Sequence, residues 1–537
     1  MWSFHYQIMH FRWTFVVLLA LNLVLSFPAS DAHDQRVSAL PSKLDNGDRG
    51  RILLMFQGCG VKTSLFKLGL RLGHVLRSEG YHVSIVTILQ PDEQNGVEDD
   101  HELRGFSRVD VLSEGVIDEC HSLKGKISSM SASRVVGTQQ LLGLLTPQRI
   151  LCEALLANQT TMAHLRNLNF DIIISESFGP CHTILSHLLG GIPTANFLVV
   201  SPSSLPHALF PQKMDMDQTS ILGRLQFTAE MMSLHLFYRR LWGYYSEIAS
   251  KYGISTLGSV SEFASSYTNA SLWFLNADPV LDYPLTLPPN FVMLGDLTSH
   301  PPRPIVDEGL RQTIAHCSSK GHIIVSISTI ARQLKGTTEE TLDAGLSRLP
   351  FQTLWRNDRP SLQPSPTDNI HYTGWMKSND MNDLLGLNRT VAFITTGGRC
   401  GIMEAIYHGI PMLCLPLMSS DHHENCAKVQ KIGMGIVLDI HSFTADDVYD
   451  AVLKLTHEES YQKNALKASH AFKSKPQYPR ERVAFWVEHV LQNGDRHLKH
   501  VGSGSFLSLI YSTCLDLVIQ LFLIAFISAF IYFKIIK

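Results

Sequence analysis

Short apolar runs alternate with segments of helical period along most of this chain, and they do so in two series. The first series opens at Arg51 with "RILLMF" and passes a glycine-containing turn. It continues as "SLFKLGLRLGHVLRSEG", whose apolar residues recur at helical spacing, and returns to an apolar run in "YHVSIVTIL". "FDIIISES" (170–177) and "GIPTANFLVV" flank a helical segment that reaches Leu189. The second series opens with "GHIIVSIST". It runs through "FQTLWR", "VAFITT", "PMLCLPL" and "MGIVLDI" into helical segments after residue 443. Strands alternating with helices in this way predict parallel sheets, and two such series predict an α/β chain of two doubly wound, Rossmann-like domains. The 537 residues exceed what one core holds, which agrees with two domains. Ligands of such folds bind beyond the carboxyl ends of the strands, so a central cleft between the halves is the expected site.

The rest of the chain divides around these two series. Residues 210–265 read as helical, with aromatic and Met positions as core, and the proline-rich stretch 279–304 reads as the approach to a linker. The division is 1–32 signal segment, 33–49 loose polar segment, 50–300 first domain, 301–318 linker and 319–475 second domain. A helix and juxtamembrane segment over 476–505, a transmembrane helix over 506–533 and a tail over 534–537 complete it. The signal reading rests on Arg12, the apolar stretch Trp13–Leu25 and small residues up to Ala32; the alternative is an uncleaved anchor. "FLSLIYSTCLDLVIQLFLIAFISAFIYF" is long enough for one membrane span, with a core helix as its alternative. Asp516 is expected toward the headgroups, and Gln520 near them or against a partner helix. Signal and span together place the body in a lumen, as a single-pass type I protein. In that compartment the sequons at Asn158, Asn269 and Asn388 become available to glycosylation. The nine cysteines show no CxxC pair and no metal-ligand spacing, so most are read as buried free thiols and no metal is expected. A net charge of −3 gives no basic field for nucleic acid.

One stretch carries the chemistry. In "VAFITTGGRCGIMEAIYHGIPMLCLPL" a strand ends in Thr395-Thr396-Gly397-Gly398, a helical segment containing Cys400, Gly401 and Glu404 follows, and Gly409-Ile410-Pro411 leads into the next strand. A glycine pair lets a ligand approach the backbone, and the free N–H groups of the following helix favour a phosphate or pyrophosphate. Glu404, about two turns on, is placed to accept hydrogen bonds from ribose hydroxyls, and Asp421-His422, after the next strand, could meet a sugar. A glycine pair alone is also found in turns that bind nothing.

The wider constellation, "TGGRCGIMEAIYHGIPMLCLPLMSSDHHENC", resembles the donor-binding signature of the membrane UDP-glycosyltransferases, the UDP-glucuronosyltransferase family. That pattern runs roughly THGGxxGxxEAxxxGxPxxxxPxxxDQxxNA. Gly397, Gly398, Gly401, Glu404, Ala405, Gly409, Pro411 and Pro416 fall in register with it, and Asp421 and Asn425 match it after one inserted residue. "NADPVLDYPLTLPPN", "GWM" at Gly374–Met376 and "PRERVAFWVEHV" extend the likeness over nearly the whole mature chain. The resemblance implies a GT-B fold, with a small lipophilic acceptor bound mainly by the first domain and a UDP-sugar by the second. It implies transfer of hexose or glucuronic acid with inversion, no cofactor beyond the UDP-sugar co-substrate and no metal. Residence in the endoplasmic reticulum membrane follows from the same resemblance. Association of the chain with itself or with related transferases is a further expectation.

The departures from the pattern matter as much. The family's base, a histidine in the first strand–helix turn, falls on Leu65, and leucine cannot take a proton. Its orienting acid falls on Glu176, in "SESFGPC". The histidine that would hold phosphate is Thr396, the usual Gln after Asp421 is His422, and the glycine-serine loop after the first strand of the second domain is Ser328-Thr329. Thr329 and Thr396 still donate hydrogen bonds, and Trp375 still offers a ring face for uracil. Two readings follow: a transferase in which Glu176 or a water-mediated base replaces histidine, and a non-catalytic member that binds nucleotide sugar, a lipophilic ligand or active relatives. "GCGVKTS" lacks the spacing of a phosphate-binding P-loop, and "HGIPMLCLPLMSSDHHENC" lacks that of a zinc site. His74, roughly 13 Å along its helix from the turn, reads as a helix histidine rather than a substitute base.

Overall fold

A computed structural model describes residues 49–56, 64–88, 103, 105–111, 115–120, 122, 142–143, 145–199, 221–282, 287–315, 320–327, 336–356, 369–373, 381–417, 420–498 and 515–536. The chain divides into two compact units, Met1–Lys43 and Leu44–Lys537, and the described residues all belong to the second. The signal segment therefore lies outside them.

Two parallel sheets organise the described residues. The first has the order β3-β2-β1-β4-β5-β6-β7. Its strands are β1 (Arg51–Met55), β2 (His82–Ile88), β3 (Ser107–Val111), β4 (Ile172–Glu176), β5 (Thr194–Leu198), β6 (Leu272–Leu275) and β7 (Phe291–Met293). The second has the order β10-β9-β8-β11-β12-β13. Its strands are β8 (His322–Ser326), β9 (Gln352–Arg356), β10 (Ile370–Thr373), β11 (Thr390–Thr395), β12 (Met412–Cys414) and β13 (Gly435–Val437). Both are doubly wound, and strand order reverses beside β1 and β4 in the first and beside β8 and β11 in the second. A crevice opens at such a switch point because the two connections leave in opposite directions. Glu176 ends β4, one residue past the Met55–Ser175 pairing, and Thr395 ends β11 opposite Ser326. Both residues thus lie at the carboxyl ends of switch-point strands.

Alternation of side chains along the buried strands fills both faces of the first sheet. Leu53, Met55, Ile173, Leu198 and Trp273 point to one face, which the helices Thr146–Ala157, Cys181–Leu188 and Ile221–Lys251 cover. Ile52, Leu54, Ile172, Ile174, Phe197 and Phe274 point to the other, covered by Ser64–Ser78 and by the late helix Pro479–Asn493. Val483, Val487 and Val490 of that late helix are buried in the first domain's core. Each contributes about 1.5–3 kcal/mol, so the chain's return across the molecule is firmly held. Arg482 Nη1 also donates to the Met293 carbonyl at 2.9 Å.

The buried Asp282 and β7 lie within the proline-rich stretch 279–304. The helix Glu308–Ala315 lies inside 301–318. Among the described residues the expectation that most cysteines are free thiols is corrected: Cys152 and Cys181 form a disulfide between two helices, Cys120 is also disulfide-bonded, and Cys400, Cys414 and Cys426 are free. Finally, of the expected span 506–533 the described part is the helix Leu515–Ile536, residues 506–514 lying outside the described residues, and among the described residues no helix is long and apolar enough to cross a membrane. Asp516 and Gln520 fall in its first two turns. The apolar side chains described in it, Phe522, Leu523, Ile524, Phe526, Ile527, Phe530 and Tyr532, are exposed.

Candidate functional site

The glycine turn is built by β11 and the helix Arg399–His408. Thr395 and Thr396 are buried as the strand ends, and Thr395 Oγ1 accepts from the Gly397 N–H at 3.3 Å. Gly397 has φ +92°, and a Cβ there would lie 2.6 Å from Cys426 Sγ and 2.8 Å from the His422 carbonyl oxygen. Glycine is thus required at 397 by the chain's own packing. Gly398 is the open one. It is the N-cap, no side chain caps the helix, and the nearest atom to a Cβ at this position would be His422 Nε2 at 3.9 Å. Among the described residues the N–H groups at the positive end of this ten-residue helix thus have no side-chain cap. Gly401 packs its Cα face on the Phe393 ring, and a Cβ at 401 would lie 3.4 Å from that ring.

A buried ionic network fixes this turn. Arg399, 4% exposed at the first helical position, donates from Nε to the Asn276 carbonyl, from Nη2 to Asp282 and from Nη1 to Asn425 Oδ1 at 3.1 Å. Asn425 Nδ2 in turn donates to the Gly397 carbonyl at 3.1 Å. Lys428 Nζ lies 3.2 Å from Asp282 and 2.6 Å from Glu424. A cation at a helix N-terminus opposes the helix dipole, and the carboxylate of Asp282 offsets it. Sequence reading missed Arg399, Asp282 and Lys428. The signal was there: an arginine wedged between glycine and cysteine at a helix start, in an otherwise apolar stretch, needs a buried acid. Asn276 Nδ2 also lies 3.9 Å from Cys400 Sγ, so the segment after β6 of the first sheet touches the helix Arg399–His408 twice.

The other expected donor-site residues gather beside this helix. Glu404 is 7% exposed, Asp421 9% and His422 8%. Burial pushes the Asp421 carboxyl up, while His422 and Arg399 pull it back, and burial pushes the Cys400 thiol up. His422 Nδ1 has no hydrogen-bond partner. Ser328, Thr329 and Trp375 lie outside the described residues. Leu65 falls in the helix Ser64–Ser78, and its side chain lies outside them too. His74 packs edge-on against Phe106, with ring centroids 4.8 Å apart. Among the described residues no group of three or more His, Cys, Asp or Glu is arranged to hold a metal ion.

Glu176 sits apart from the turn, in the first domain, at 1% exposure. Its Oε2 accepts from the Phe178 N–H at 2.7 Å, and Oε1 lies where a Cβ on Gly179 would come within 2.5 Å. Burial raises its carboxyl from 4.5 to about 7, with the Phe178 and Gly179 N–H groups pulling it back. His182, one helical step beyond the Pro180-Cys181 pair, is pushed down to about 4 by burial; Nδ1 lies 3.3 Å from the Gly179 carbonyl. Neutral His182 and a carboxyl poised near neutrality give this region one group able to exchange a proton at physiological pH. Asn158, Asn269 and Asn388 are all exposed.

The comparisons agree with this architecture. The 2-hydroxyacylsphingosine 1-beta-galactosyltransferase of Mus musculus is 28% identical over 431 residues, 77% of each chain. UDP-glucuronosyltransferase 2A1 of Mus musculus is 28% identical over 365 residues, 65% of this chain and 67% of that one. The calicheamicin glycosyltransferase CalG4 matches with a TM-score of 0.55 at 16% identity over 83% of this chain and 98% of its own. Glycosyltransferase VinC in complex with DTDP matches at 0.53 and 16%, over 81% and 98%. These two likenesses establish the GT-B glycosyltransferase fold. The family model described as "UDP-glucoronosyl and UDP-glucosyl transferase" matches residues 116–537, and the chain belongs to that family.

Proposed function

We propose that the protein transfers a sugar from a UDP-sugar to a small lipophilic acceptor with inversion at the anomeric carbon. The observation that carries this reading is the uncapped helix start at Gly398, open on its outer side and held by the Arg399 network. In this reading the diphosphate lies on the N–H groups after Gly398, with Thr396 beside it. Glu404 accepts from the ribose hydroxyls, and Asp421 and His422 meet the sugar. The family resemblance assigns Ser328, Thr329 and Trp375, which lie outside the described residues, to the same donor site. The acceptor oxygen attacks the anomeric carbon from the face opposite the diphosphate. The bond to UDP breaks, and the N–H groups take up the charge that develops on the leaving oxygen. Glu176 is the carboxyl on the acceptor side. The names of the relatives point to galactose and glucuronic acid as the first donors to try.

Location in the lumen of the endoplasmic reticulum belongs to the same proposal. Disulfides at Cys152–Cys181 and at Cys120 suit an oxidising compartment. The helix Leu515–Ile536, with its exposed phenylalanines, is the segment that would reach a membrane. Leu65 favours a second reading, a member that binds nucleotide sugar, a lipophile or an active relative without turnover. A turnover assay with UDP-glucose, UDP-galactose and UDP-glucuronic acid over a mixed acceptor panel, run beside UDP binding, separates the two. Product formation supports transfer, and UDP binding with no product supports the second reading.

A further inference from the structure

A second uncapped helix start lies in the first domain. The helix Thr146–Ala157 begins on Leu145, whose apolar side chain cannot cap it. Pro147 brings no N–H, and the Leu145 carbonyl takes the first helical bond, from the Arg149 N–H at 3.3 Å. Among the described residues the N–H groups of Thr146 and Gln148 are left without a helical partner or a side-chain cap, at the positive end of a 12-residue helix. Beside this start is a cavity of about 200 Å³. Leu145, Thr146 and Arg149 line it from the helix entry, and Leu241, Tyr244 and Tyr245 line it from the helix Ile221–Lys251.

A helix start alone marks no site, but two side chains add to this one. Tyr245 is 0% exposed, and its hydroxyl has no hydrogen-bond partner. Arg149 Nε is buried and equally unpartnered, and among the described residues no acid forms an ion pair with this guanidinium. The guanidinium stacks over the Tyr244 ring at 5.2 Å, which orients it without neutralising it. Glu153 and Glu176 are near enough for their charges to reach Tyr245, yet neither is ion-paired with Arg149.

Buried donors in folded proteins are nearly always paired, so two unpaired ones on one cavity mark a place for an occupant that accepts hydrogen bonds. An uncompensated guanidinium and a positive helix end ask further that the occupant be an anion. The donors come from two helices. One supplies N–H groups, the Thr146 hydroxyl and the guanidinium, and the other supplies the Tyr245 hydroxyl. A carboxylate presents two oxygens in one plane, whereas a phosphate monoester presents three strong acceptors on different sides and so meets both walls.

We propose that this cavity is a phosphate-binding site, separate from the transfer reaction, in which a phosphate group bridges the start of Thr146–Ala157 to Tyr245. Arg149 supplies the charge, and the helix N–H groups and the two hydroxyls supply hydrogen bonds. No covalent bond forms or breaks. Gln148, next to Arg149, lies against Gly179, so a filled site also braces the loop that follows Glu176. The inference stands independently of the donor reading above.

The test titrates the full chain in detergent with inorganic phosphate at constant ionic strength, with saturating UDP present throughout to occupy the Gly398 turn. Tm should rise with phosphate, because an anion bound only by the folded state stabilises it. Arg149→Gln should weaken the apparent Kd for phosphate by roughly tenfold or more, and Tyr245→Phe, which removes one neutral hydrogen bond, by about threefold. Arg149→Lys should recover part of the first loss, and UDP affinity should be alike in all four forms. Glycerol 3-phosphate and dioleoyl phosphatidic acid in mixed micelles distinguish the sources of such a group. Equal affinity for both assigns a soluble ester, and affinity for the lipid higher by about tenfold assigns a lipid headgroup; either result supports the site. The general stabilising effect of phosphate as a salt raises Tm in every form alike. A rise of equal size in wild type and Arg149→Gln therefore overturns the inference, as does no rise at all or acetate bound as tightly as phosphate. A wild type that responds to phosphate through Arg149 but does not bind UDP supports this site and overturns the donor reading alone.

Discussion

Arg399 and Asp282 form an ion pair with side chains only 2% and 0% exposed, joining residues 117 apart in sequence. One is the first residue of the helix Arg399–His408 and the other belongs to the segment that leaves the first sheet. Through Asn425 the same guanidinium steadies the Gly397 carbonyl, so the join between the halves and the shape of the glycine turn share one set of contacts. Removing one member of a buried pair leaves an uncompensated charge. Asp282→Asn is therefore expected to lower stability by about 3–5 kcal/mol, read as a fall in Tm. Replacing both partners, as Asp282→Leu with Arg399→Met, should lose less than Asp282→Asn alone. A double variant worse than the single would remove the pair from this account.

The two glycines of the turn should fail differently. Gly397→Ala puts a methyl into Cys426 and the His422 backbone at φ +92°, and should destabilise the fold by about 1–3 kcal/mol. Gly398→Ala has φ −61°, ψ 133° and no neighbour inside 3.9 Å, so the fold should tolerate it. Its methyl would occupy the space left for the diphosphate, and the Kd for UDP should rise about tenfold or more, ~1.4 kcal/mol. Thermal melts and calorimetry on both variants check this. Equal loss of stability in both would reject the division of roles.

Glu176 makes stability depend on pH in a definite direction. Its carboxyl is raised from 4.5 to about 7 in the folded state. Between those values the folded protein keeps a proton that the unfolded chain has released. The contribution is full below pH 4.5 and is lost as pH rises through 7, an effect of about 3 kcal/mol at most. His182, held down to about 4, works the other way: its contribution is present above pH 6.5 and is lost as pH falls toward 4. Glu176→Gln removes only the first of these. The variant should be more stable than wild type above pH 7, and the gap should close near pH 4.5. A gap that does not change with pH in urea titrations would contradict the placement of this carboxyl.

The central strands were legible because a buried parallel strand is a continuous apolar run, as in "RILLM" and "TVAFIT". β3, β7 and β10 were not. They are edge strands or lie next to one, and β3 carries Arg108 and Asp110, paired with each other 3.1 Å apart. β7 hides among prolines, and β6 is four residues long. At the site, the glycine turn and Glu404 stood out because backbone geometry and ligand chemistry restrict those positions locally. The Arg399–Asp282 pair and the Cys152–Cys181 bridge did not, since each joins residues that only the fold brings together.

Glu404 is the residue on which donor affinity should turn. It is buried inside the helix that starts at the open turn, where a carboxylate shielded from water makes strong hydrogen bonds to hydroxyl groups. Glu404→Ala should weaken UDP binding by about 1–3 kcal/mol, while uracil alone, which lacks the ribose, should bind both forms alike. Calorimetry with UDP and uracil gives both numbers. An unchanged Kd for UDP would take Glu404 out of the donor site.

Leu65→His tests whether the base is the missing part. General base catalysis is worth roughly 10²–10⁴-fold where a hydroxyl must lose its proton. The substitution should therefore raise transfer to aliphatic alcohols most. Phenols, with a pKa near that of tyrosine at about 10, need the base less and should gain less. A carboxylate acceptor has no proton to lose and should gain nothing. Glu176→Gln in the Leu65→His background should erase most of the gain on alcohols, because the new imidazolium would lose its charge partner. The measurement is kcat/KM for matched acid, phenol and alcohol acceptors in all three forms. A wild type already as fast on aliphatic alcohols as Leu65→His would mean that another group takes the proton. A uniform gain across the three acceptors would mean that the histidine acts on packing or donor position and not as a base.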